Sequence, residues 1–430
     1  MTPQPLELKK VIVDQQEEVE SLLEQEEIIE RELDSRKLRG FLKHPNVLVI
    51  SGVRRSGKSI LSLLLSRGEK YGYLNFDDER LVGFTEKDFN RLLQAFYELY
   101  GEELEYFVFD EIQNIPHWQV FINRLRRTKK IIVTGSNARL LSGELSTVLT
   151  GRYLDFTLYP FSFREFLRYK KAEPKTTDAY STKKTAELKR RLAEYLQLGG
   201  FPEVFKFGKS INQRIYGDIL MRDILFRYKI RHKKSFKELA NYLLTNFSRE
   251  FSYSKLQKVF ALKDVHTVKN YLDHLVSSFL FITLEKFSFK LKEQVIAPKK
   301  VYSIDPGLIN ALSFQFSPNL GPIAENAVLL ELLRKRSYGE EDFDVYFWKD
   351  YRQREVDFVI KKDKRVQQLI QVCCQFTGPE TKERELKSLV EAGRELRCDN
   401  LLVITDDLEG EEVCKGKQIR FVPLWRWLLT

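Results

Sequence analysis

The sequence predicts an α/β fold whose N-terminal half contains a parallel sheet covered by helices. Five short apolar runs alternate with segments of helical pattern, and they cover residues 47–50, 71–76, 106–109, 130–134 and 153–158. Strands that alternate with helices form parallel sheets in which both faces are buried. Strands and helices alternate again in residues 305–430, which predicts a second α/β domain.

The composition excludes several classes of protein. Of the 430 residues, 43% are hydrophobic and 31% are charged, which is typical of a globular chain rather than a disordered one. No apolar run reaches the ~18 residues of a membrane span, and no signal-peptide pattern opens the chain. The 4 cysteines lack C-x-x-C spacing and the 5 histidines are scattered. We therefore expect a cytoplasmic protein with no membrane partner, no zinc site and no disulfide framework.

The charge is unevenly distributed along the chain. The formal net charge is +10, yet residues 1–35 carry −8 and residues 305–430 carry −3. Residues 151–304 hold 31 basic and 15 acidic side chains, a net charge of +16. A basic excess confined to one block predicts a polyanionic partner such as nucleic acid. The alternative is a solvated surface rich in lysine and arginine.

A glycine-rich loop follows the first predicted strand. Residues 52–59, GVRRSGKS, fit the pattern G-x-x-x-x-G-K-[ST] and lie between an apolar strand and a helix. Glycines let backbone N–H groups approach phosphate, Lys58 would reach the β- and γ-phosphates of ATP, and Ser59 would bind Mg²⁺. A glycine turn without function is the alternative, and the placement of the loop disfavours it. The predicted nucleotide contacts are Gly52, Arg54, Arg55, Ser56, Gly57, Lys58, Ser59 and Ile60.

Two carboxylates end the third predicted strand, which reads FVFDE over residues 107–111. Asp110 would hold Mg²⁺, and Glu111 would polarise the water that attacks the γ-phosphate. An acidic strand cap is the alternative. The glycine-rich loop upstream favours hydrolysis, because hydrolysis needs an oriented water beside the bound phosphates.

Polar side chains near the fourth and fifth strands supply further candidates. Asn137 or Ser136 would sense the γ-phosphate, because the fourth strand ends between the other two functional strands. Arg152, with Arg139 as its competitor, would stabilise transition-state charge on a nucleotide held by a neighbouring subunit. This role implies a homo-oligomer. A surface arginine is the alternative in both cases.

The motifs together resemble the archaeal and bacterial AAA+-type ATPases that carry a C-terminal domain of unknown function. The resemblance rests on the sequences GVRRSGKS, FVFDEIQNIPHW, VTGSNARLL and LTGRYLDFTLYPFSFREFL, and it extends to YSIDPGL and REVDFVI. It spans most of residues 35–430. It implies an ATP-binding core of the ASCE type, and it implies no particular cellular role.

Residues 254–281 have a helix-turn-helix pattern, and the strand-like runs that follow are typical of a winged helix. Ser254 would cap the first helix and Asp264 would begin the second. In such a module the second helix enters the major groove of DNA. Winged helices also mediate protein contacts, so both alternatives stay open. The predicted DNA contacts are Lys255, Lys263, His266, Lys269 and Asn270.

The C-terminal part is similar to the PD-(D/E)xK nuclease fold. Glu325 lies on a predicted helix, Asp357 lies on a predicted strand, and Gln371 occupies the position of the second acidic residue. Two carboxylates holding Mg²⁺ would activate water for cleavage of a phosphodiester. Here a neutral glutamine and Cys373 replace the glutamate and the lysine of E-x-K, so an inactive nuclease-like binding domain and a plain α/β fold are the alternatives.

The chain is accordingly divided into five parts. They are an acidic N-terminal helical arm (1–40), a P-loop ATPase core (41–160), a helical lid or linker (161–234), a winged helix (235–304) and a nuclease-like α/β domain (305–430). We expect an ATPase that uses ATP and Mg²⁺ to move its helical and winged-helix domains on DNA. A nucleotide-dependent switch acting on a protein partner and an ATP-driven metal-dependent nuclease are the alternatives.

Overall fold

A computed structural model of the chain describes residues 5–25, 27–43, 45–138, 148–312, 320–339, 342–374 and 379–430. By its internal contacts the chain divides into two compact units. Unit 1 comprises Met1–Leu158 with Ser277–Phe279, and unit 2 comprises Tyr159–Val276 with Leu280–Thr430. None of the helices within the described ranges is long and apolar enough to cross a membrane.

Unit 1 is built on a five-stranded parallel sheet in the order β2-β3-β4-β1-β5. This confirms the parallel sheet that the sequence predicts, and each of the five predicted strands is present. The predicted helix at 138–149 falls mostly outside the described residues. The strands are β1 (Val47–Ser51), β2 (Tyr71–Asn75), β3 (Tyr106–Asp110), β4 (Lys130–Gly135) and β5 (Tyr153–Thr157). The helices are α1 (Pro5–Gln25), α2 (Ser35–Phe41), α3 (Lys58–Ser66), α4 (Phe89–Tyr100) and α5 (Trp118–Leu125).

The first helix, α1, packs against the sheet of unit 1. Its Leu8, Val11 and Ile12 are buried in the same apolar core as β1 and β3. The amide of Gln15 donates to the Asn75 carbonyl oxygen at 3.2 Å and to the carboxylate of Asp78 at 2.7 Å. The acidic N-terminal segment is therefore anchored to the sheet, and its glutamates cover the outer face of α1.

Unit 2 contains a helical part, a three-stranded antiparallel sheet and a six-stranded mixed sheet. The strand orders are β6-β8-β7 and β13-β14-β12-β11-β10-β9. The strands are β6 (Arg249–Phe251), β7 (Phe281–Leu284), β8 (Lys299–Ser303), β9 (Asp344–Lys349), β10 (Glu355–Lys362), β11 (Arg365–Cys373), β12 (Leu401–Thr405), β13 (Gly410–Cys414) and β14 (Lys417–Pro423). The helices are Phe163–Tyr169, Thr182–Leu198, Pro202–Phe207, Ile211–Asp218, the π-helix Ile219–Phe226, Lys233–Thr245, Tyr253–Val259, Val265–Ser277, Leu291–Ile296, Pro306–Leu312, Leu320–Tyr338, Pro379–Glu395 and Leu424–Trp427.

The small sheet and its helices follow the order helix, β6, helix, helix, β7, helix, β8, where the short helix Leu291–Ile296 separates β7 from β8. The prediction that Ser254 caps the first helix of the pair is wrong. Ser252 is the cap, and its hydroxyl accepts a hydrogen bond from the Lys255 backbone N–H at 3.3 Å. The cap is shifted by two residues because Tyr253 and Ser254 already have helical geometry. The second helix begins after Asp264, whose carboxylate accepts from the Thr267 N–H at 2.7 Å, as predicted.

Candidate nucleotide-binding site

At two positions, the loop between β1 and α3 has a positive φ angle that glycine adopts readily and other residues rarely adopt. Gly52 and Gly57 have φ angles of +149° and +96°. A Cβ atom on Gly52 would collide with the Leu158 carbonyl oxygen. The glycines therefore let the chain turn tightly from the strand into the N-terminus of α3, where backbone N–H groups are directed toward the loop.

Lys58, the first residue of α3, points back into this loop. Its side chain is buried, and its ammonium donates to the Val53 carbonyl oxygen at 3.1 Å. The same ammonium lies 3.7 Å from a carboxylate oxygen of Glu111, which directly follows β3, and β4 lies between β3 and β1 in the sheet. The predicted phosphate-binding lysine and the predicted catalytic carboxylate are thus in one place.

Asp110 is the buried carboxylate of the pair that ends β3. It accepts hydrogen bonds from the Tyr73 hydroxyl at 3.0 Å and from the hydroxyl of Thr134. The Ser59 hydroxyl also bonds to it, so the two predicted Mg²⁺ ligands are adjacent. Burial, together with the neighbouring Glu111 carboxylate, raises the pKa of Asp110 above its ordinary value. A cation beside Ser59 and Asp110 would remove this penalty, and oxygen ligands of this kind suit Mg²⁺.

Glu111 is held in a sparsely populated backbone conformation, with a φ of +50°. Its carboxylate accepts from the Ser136 hydroxyl at 2.9 Å, from the Ser136 N–H at 3.2 Å and from the Gln113 amide. Although burial acts in the opposite direction, Lys58 and Arg54 hold the pKa of Glu111 below its ordinary value. Glu111 is therefore an ionised, rigidly oriented base next to the phosphate loop, the arrangement that water activation needs.

Arg31 is a site residue that the sequence analysis missed. It is only 8% exposed, and its guanidinium donates to the Ser56 carbonyl oxygen of the loop at 2.9 Å. It belongs to the stretch IIERELDS, which was interpreted as part of an acidic arm. In the sequence, Arg31 differs from its neighbours only as an isolated basic residue among glutamates, and this pattern alone does not indicate a binding site.

The remaining predicted residues of this site lie at different edges of the sheet. Asn137 is buried directly after β4, on the loop edge, whereas the neighbouring Ser136 is the residue that contacts Glu111. Arg152 is exposed, and its carbonyl accepts from the Val47 N–H at the beginning of β1. That is the edge opposite to the loop, so Arg152 is directed away from the nucleotide site of its own chain. Arg139 lies outside the described residues.

The predicted DNA contacts are exposed side chains on the surface of the helix pair in unit 2 and of the turn between the two helices. The buried face of the second helix is formed by Val268, Tyr271, Leu272 and Leu275, as its periodicity predicts. The ammonium of Lys269 lies 5.4 Å from the centre of the Tyr253 ring, which joins the two helices at this surface. The exposed predicted contacts are Lys255, Lys263, His266, Lys269 and Asn270.

The predicted nuclease-like residues meet at a cavity of about 820 Å³ in unit 2. Asp357 donates its backbone N–H to the side-chain oxygen of Gln371 at 3.3 Å. Between Asp357 and Glu325 lies the ammonium of Lys300, a residue that the sequence analysis did not single out. Although burial opposes its charge, Glu325 and the other neighbouring carboxylates hold the pKa of Lys300 well above its ordinary value. Within the described ranges, with Lys300 in place, no group of three or more His, Cys, Asp or Glu side chains is arranged to hold a metal ion.

Comparison with known families supports the assignment of the core. Residues 44–167 match the family described as an AAA domain. Residues 189–319 and 320–427 match two families described as domains of unknown function, DUF8612 and DUF4143. Unit 1 therefore has the AAA-type P-loop ATPase fold.

Solved structures align with the chain at low identity. The Walker-type ATPase PABY2304 of Pyrococcus abyssi is 17% identical, with 67% of this chain and 97% of that chain covered and a TM-score of 0.45. Cdc6p from Pyrobaculum aerophilum is 12% identical, with 72% and 97% covered and a TM-score of 0.26.

Two sequence relatives extend along most of the chain. The uncharacterized protein MJ1544 of Methanocaldococcus jannaschii is 36% identical over 408 residues, which cover 90% of this chain and 89% of that protein. An uncharacterized protein of Haemophilus influenzae is 31% identical over 354 residues, which cover 78% of this chain and 84% of that protein. The chain thus belongs to the same protein family as these two relatives.

Proposed function

We propose that the protein is a Mg²⁺-dependent ATPase that couples its nucleotide state to domain movement on DNA. One observation carries the proposal: the phosphate loop, Lys58, Ser59, Asp110 and Glu111 converge at one edge of the parallel sheet. Ligands of open parallel sheets bind at the carboxyl ends of the strands, which is where these residues lie.

Each residue of the cluster has a distinct role in this proposal. The loop N–H groups and Lys58 bind the β- and γ-phosphates, and Ser59 and Asp110 hold Mg²⁺, which neutralises phosphate charge when bound. Glu111 accepts the proton of the attacking water through its oriented carboxylate. Since Arg152 faces away from its own site, it would act on a nucleotide bound by a second copy of the chain.

Lys58→Ala is expected to abolish ATP turnover, because it removes the cation that holds the transferred phosphate. Turnover is measured as phosphate release from ATP with Mg²⁺, in the presence and absence of nucleic acid. Lys70→Ala is the matched control, since Lys70 is an exposed lysine of the same unit and should leave turnover unchanged. Full activity of Lys58→Ala would contradict the proposal.

The proposed partner, DNA, is supported by unit 2. Two observations support it: the helix pair Tyr253–Val259 and Val265–Ser277 is followed by the antiparallel strands β7 and β8, an order compatible with a winged helix, and residues 151–304 carry a net charge of +16. The exposed surface with Lys255, Lys263 and Lys269 would face DNA phosphates, and His266 and Asn270 would reach base edges.

Charge reversal on this surface tests the DNA proposal. Lys263→Glu with Lys269→Glu is expected to weaken duplex binding and to reduce the slope of log K against log salt by about 2, since each phosphate contact contributes about one unit. Fluorescence anisotropy over a salt series measures both quantities. Lys364→Glu with Arg365→Glu reverses two exposed charges of the β10–β11 hairpin and serves as the matched control. Equal slopes for the two double variants would refute this surface as the DNA site.

A nucleotide-dependent switch acting on a protein partner is the second candidate. A specific observation favours it: the segment between β7 and β8 exposes large apolar side chains, with Phe289 at 73%, Leu291 at 73% and Ile296 at 72%. Exposed apolar patches of this kind mark contacts between proteins. If the wild-type chain fails to bind any DNA at low salt, the switch replaces the DNA proposal.

A further inference from the structure

A buried lysine lies at the centre of the carboxylate cluster of unit 2. Lys300, on β8, places its ammonium 2.9 Å from Glu325, 2.6 Å from Glu355 and 3.4 Å from Asp357. These carboxylates come from the helix Leu320–Tyr338 and from β10, so two separate elements converge on one cation. An ammonium has three N–H donors, and here three carboxylates receive them.

Burial separates this lysine from a surface ion pair. Only 3% of the Lys300 side chain is exposed, against 12% for Glu325 and 9% for Asp357. The ammonium also lies 5.6 Å from the centre of the Phe347 ring, whose face favours a cation. Buried carboxylates require a compensating charge, and Lys300 supplies it inside the fold.

The other polar groups of the cluster complete the hydrogen bonds of the carboxylates. The Tyr302 hydroxyl donates to Glu325 at 2.7 Å, and the Val372 N–H donates to Asp357 at 2.9 Å. Lys349 adds a second cation at 3.4 Å from Glu355. The carboxylates are therefore satisfied by groups of the chain itself.

Gln371 is also committed to contacts within the fold. Its side-chain oxygen accepts from the Asp357 N–H at 3.3 Å, and its amide donates to Glu385 at 2.9 Å. A Mg²⁺ ion would need the oxygens of Glu325 and Asp357 at ~2.1 Å, in the space beside the Lys300 ammonium, and would be repelled by that charge. The residues present therefore do not fit the metal that a nuclease-like site requires.

We propose that Lys300 is the resident cation of the Glu325–Glu355–Asp357 cluster and takes the place of a divalent metal. The C-terminal α/β domain then cleaves no phosphodiester through metal-activated water. The proposal is independent of ATP hydrolysis in unit 1.

Binding of Mn²⁺ to the full-length chain tests the proposal, with Ser59→Ala as a common background that removes the predicted metal ligand of unit 1. Free Mn²⁺ is measured by electron paramagnetic resonance. The background protein and its Asp357→Asn variant are expected to bind the same number of ions. Lys300→Ala is expected to gain one bound Mn²⁺ per chain, and Lys300→Ala with Asp357→Asn to lose it again.

Two results of the Mn²⁺ binding measurement would overturn the proposal. One is a bound Mn²⁺ in the Lys300-containing protein that disappears in Asp357→Asn. The other is a folded Lys300→Ala protein that gains no ion, because the carboxylates would then not form a cation site. If Lys300→Ala does not fold, as judged by circular dichroism, the proposal is tested by comparing the number of Mn²⁺ ions bound by the background protein and by its Asp357→Asn variant. Plasmid cleavage with Mn²⁺ that is lost in Asp357→Asn would also refute the proposal.

Discussion

Glu111 shows how a single residue is prepared for chemistry. The positive φ angle directs its carboxylate toward Lys58, and Ser136 and Gln113 fix its orientation. Such a conformation costs of order 1–3 kcal/mol, so the surrounding hydrogen bonds must hold it in place. The carboxylate could be predicted from the sequence because it follows an apolar strand. Its strained backbone and its partners could not, since they depend on how β3 and β4 lie side by side.

Arg31 provides a prediction at the same scale. Arg31→Ala is expected to weaken ATP binding by about 1–2 kcal/mol, or roughly 5- to 30-fold, because the loop carbonyl of Ser56 loses its buried donor. Isothermal titration with a non-hydrolysable ATP analogue measures the effect. Arg36→Ala, an exposed arginine on α2, is the matched control. Equal affinities for the two variants would show that Arg31 does not support the loop.

At the scale of secondary-structure elements, the side chain of Asp305 connects two turns of unit 2 by hydrogen bonds. Its buried carboxylate accepts from the Gly200 N–H at 2.6 Å and from the Gly307 N–H at 2.8 Å, at the start of the helix Pro306–Leu312. Gly199 has a φ of +84°, and a Cβ atom there would collide with Asp305. The segments GGFP (199–202) and YSIDPGL (302–308) are therefore held together through the Asp305 carboxylate.

The buried Asp305 carboxyl group predicts a dependence of stability on pH. Burial raises the pKa of Asp305 to about 7, although the N–H groups of Gly200 and Gly307 act to lower it. Between pH 4 and 7 the folded chain keeps a proton that the unfolded chain has lost, so this group's contribution to stability falls as pH rises and is constant above that range. Relative to Asp305→Asn, the free energy of unfolding of the wild type is expected to fall by about 2 kcal/mol between pH 5.5 and 7. Urea unfolding at both pH values measures this, and a constant difference would contradict the assignment.

Elements with strong local patterns could be predicted, and elements defined by distant contacts could not. The strands of the parallel sheet are continuous apolar runs, so their positions follow from sequence alone. The hairpin β13–β14 was missed because the exposed residues of β13, such as Glu411 and Glu412, hide its pattern. The local sequence does not indicate the role of Lys300 either, because its three carboxylate partners lie 25 to 57 positions further along the chain.

At the scale of the whole molecule, the net charge of +10 is a sum of unlike parts. The acidic segment at the start belongs to unit 1, where α1 packs on the parallel sheet. The excess of +16 over residues 151–304 lies in unit 2, with +11 over residues 151–234 and +5 over residues 235–304, which contain the helix pair and the small sheet. The C-terminal domain, at −3, has buried carboxylates that are neutralised by Lys300 of the preceding strand β8. Polyanion binding is therefore expected from residues 151–304 rather than from the nuclease-like cavity.

The most direct test of the ATPase proposal is to measure ATP binding and phosphate release in the same sample of Glu111→Gln. Glutamine keeps the size of the side chain and its contact with Ser136 but cannot accept a proton from water. We expect this variant to bind ATP with Mg²⁺ as the wild type does and to release phosphate at least about 100-fold more slowly. Phosphate release at the wild-type rate would contradict the assignment of Glu111, and a wild-type chain that releases no phosphate with any nucleic acid would contradict the proposed ATPase.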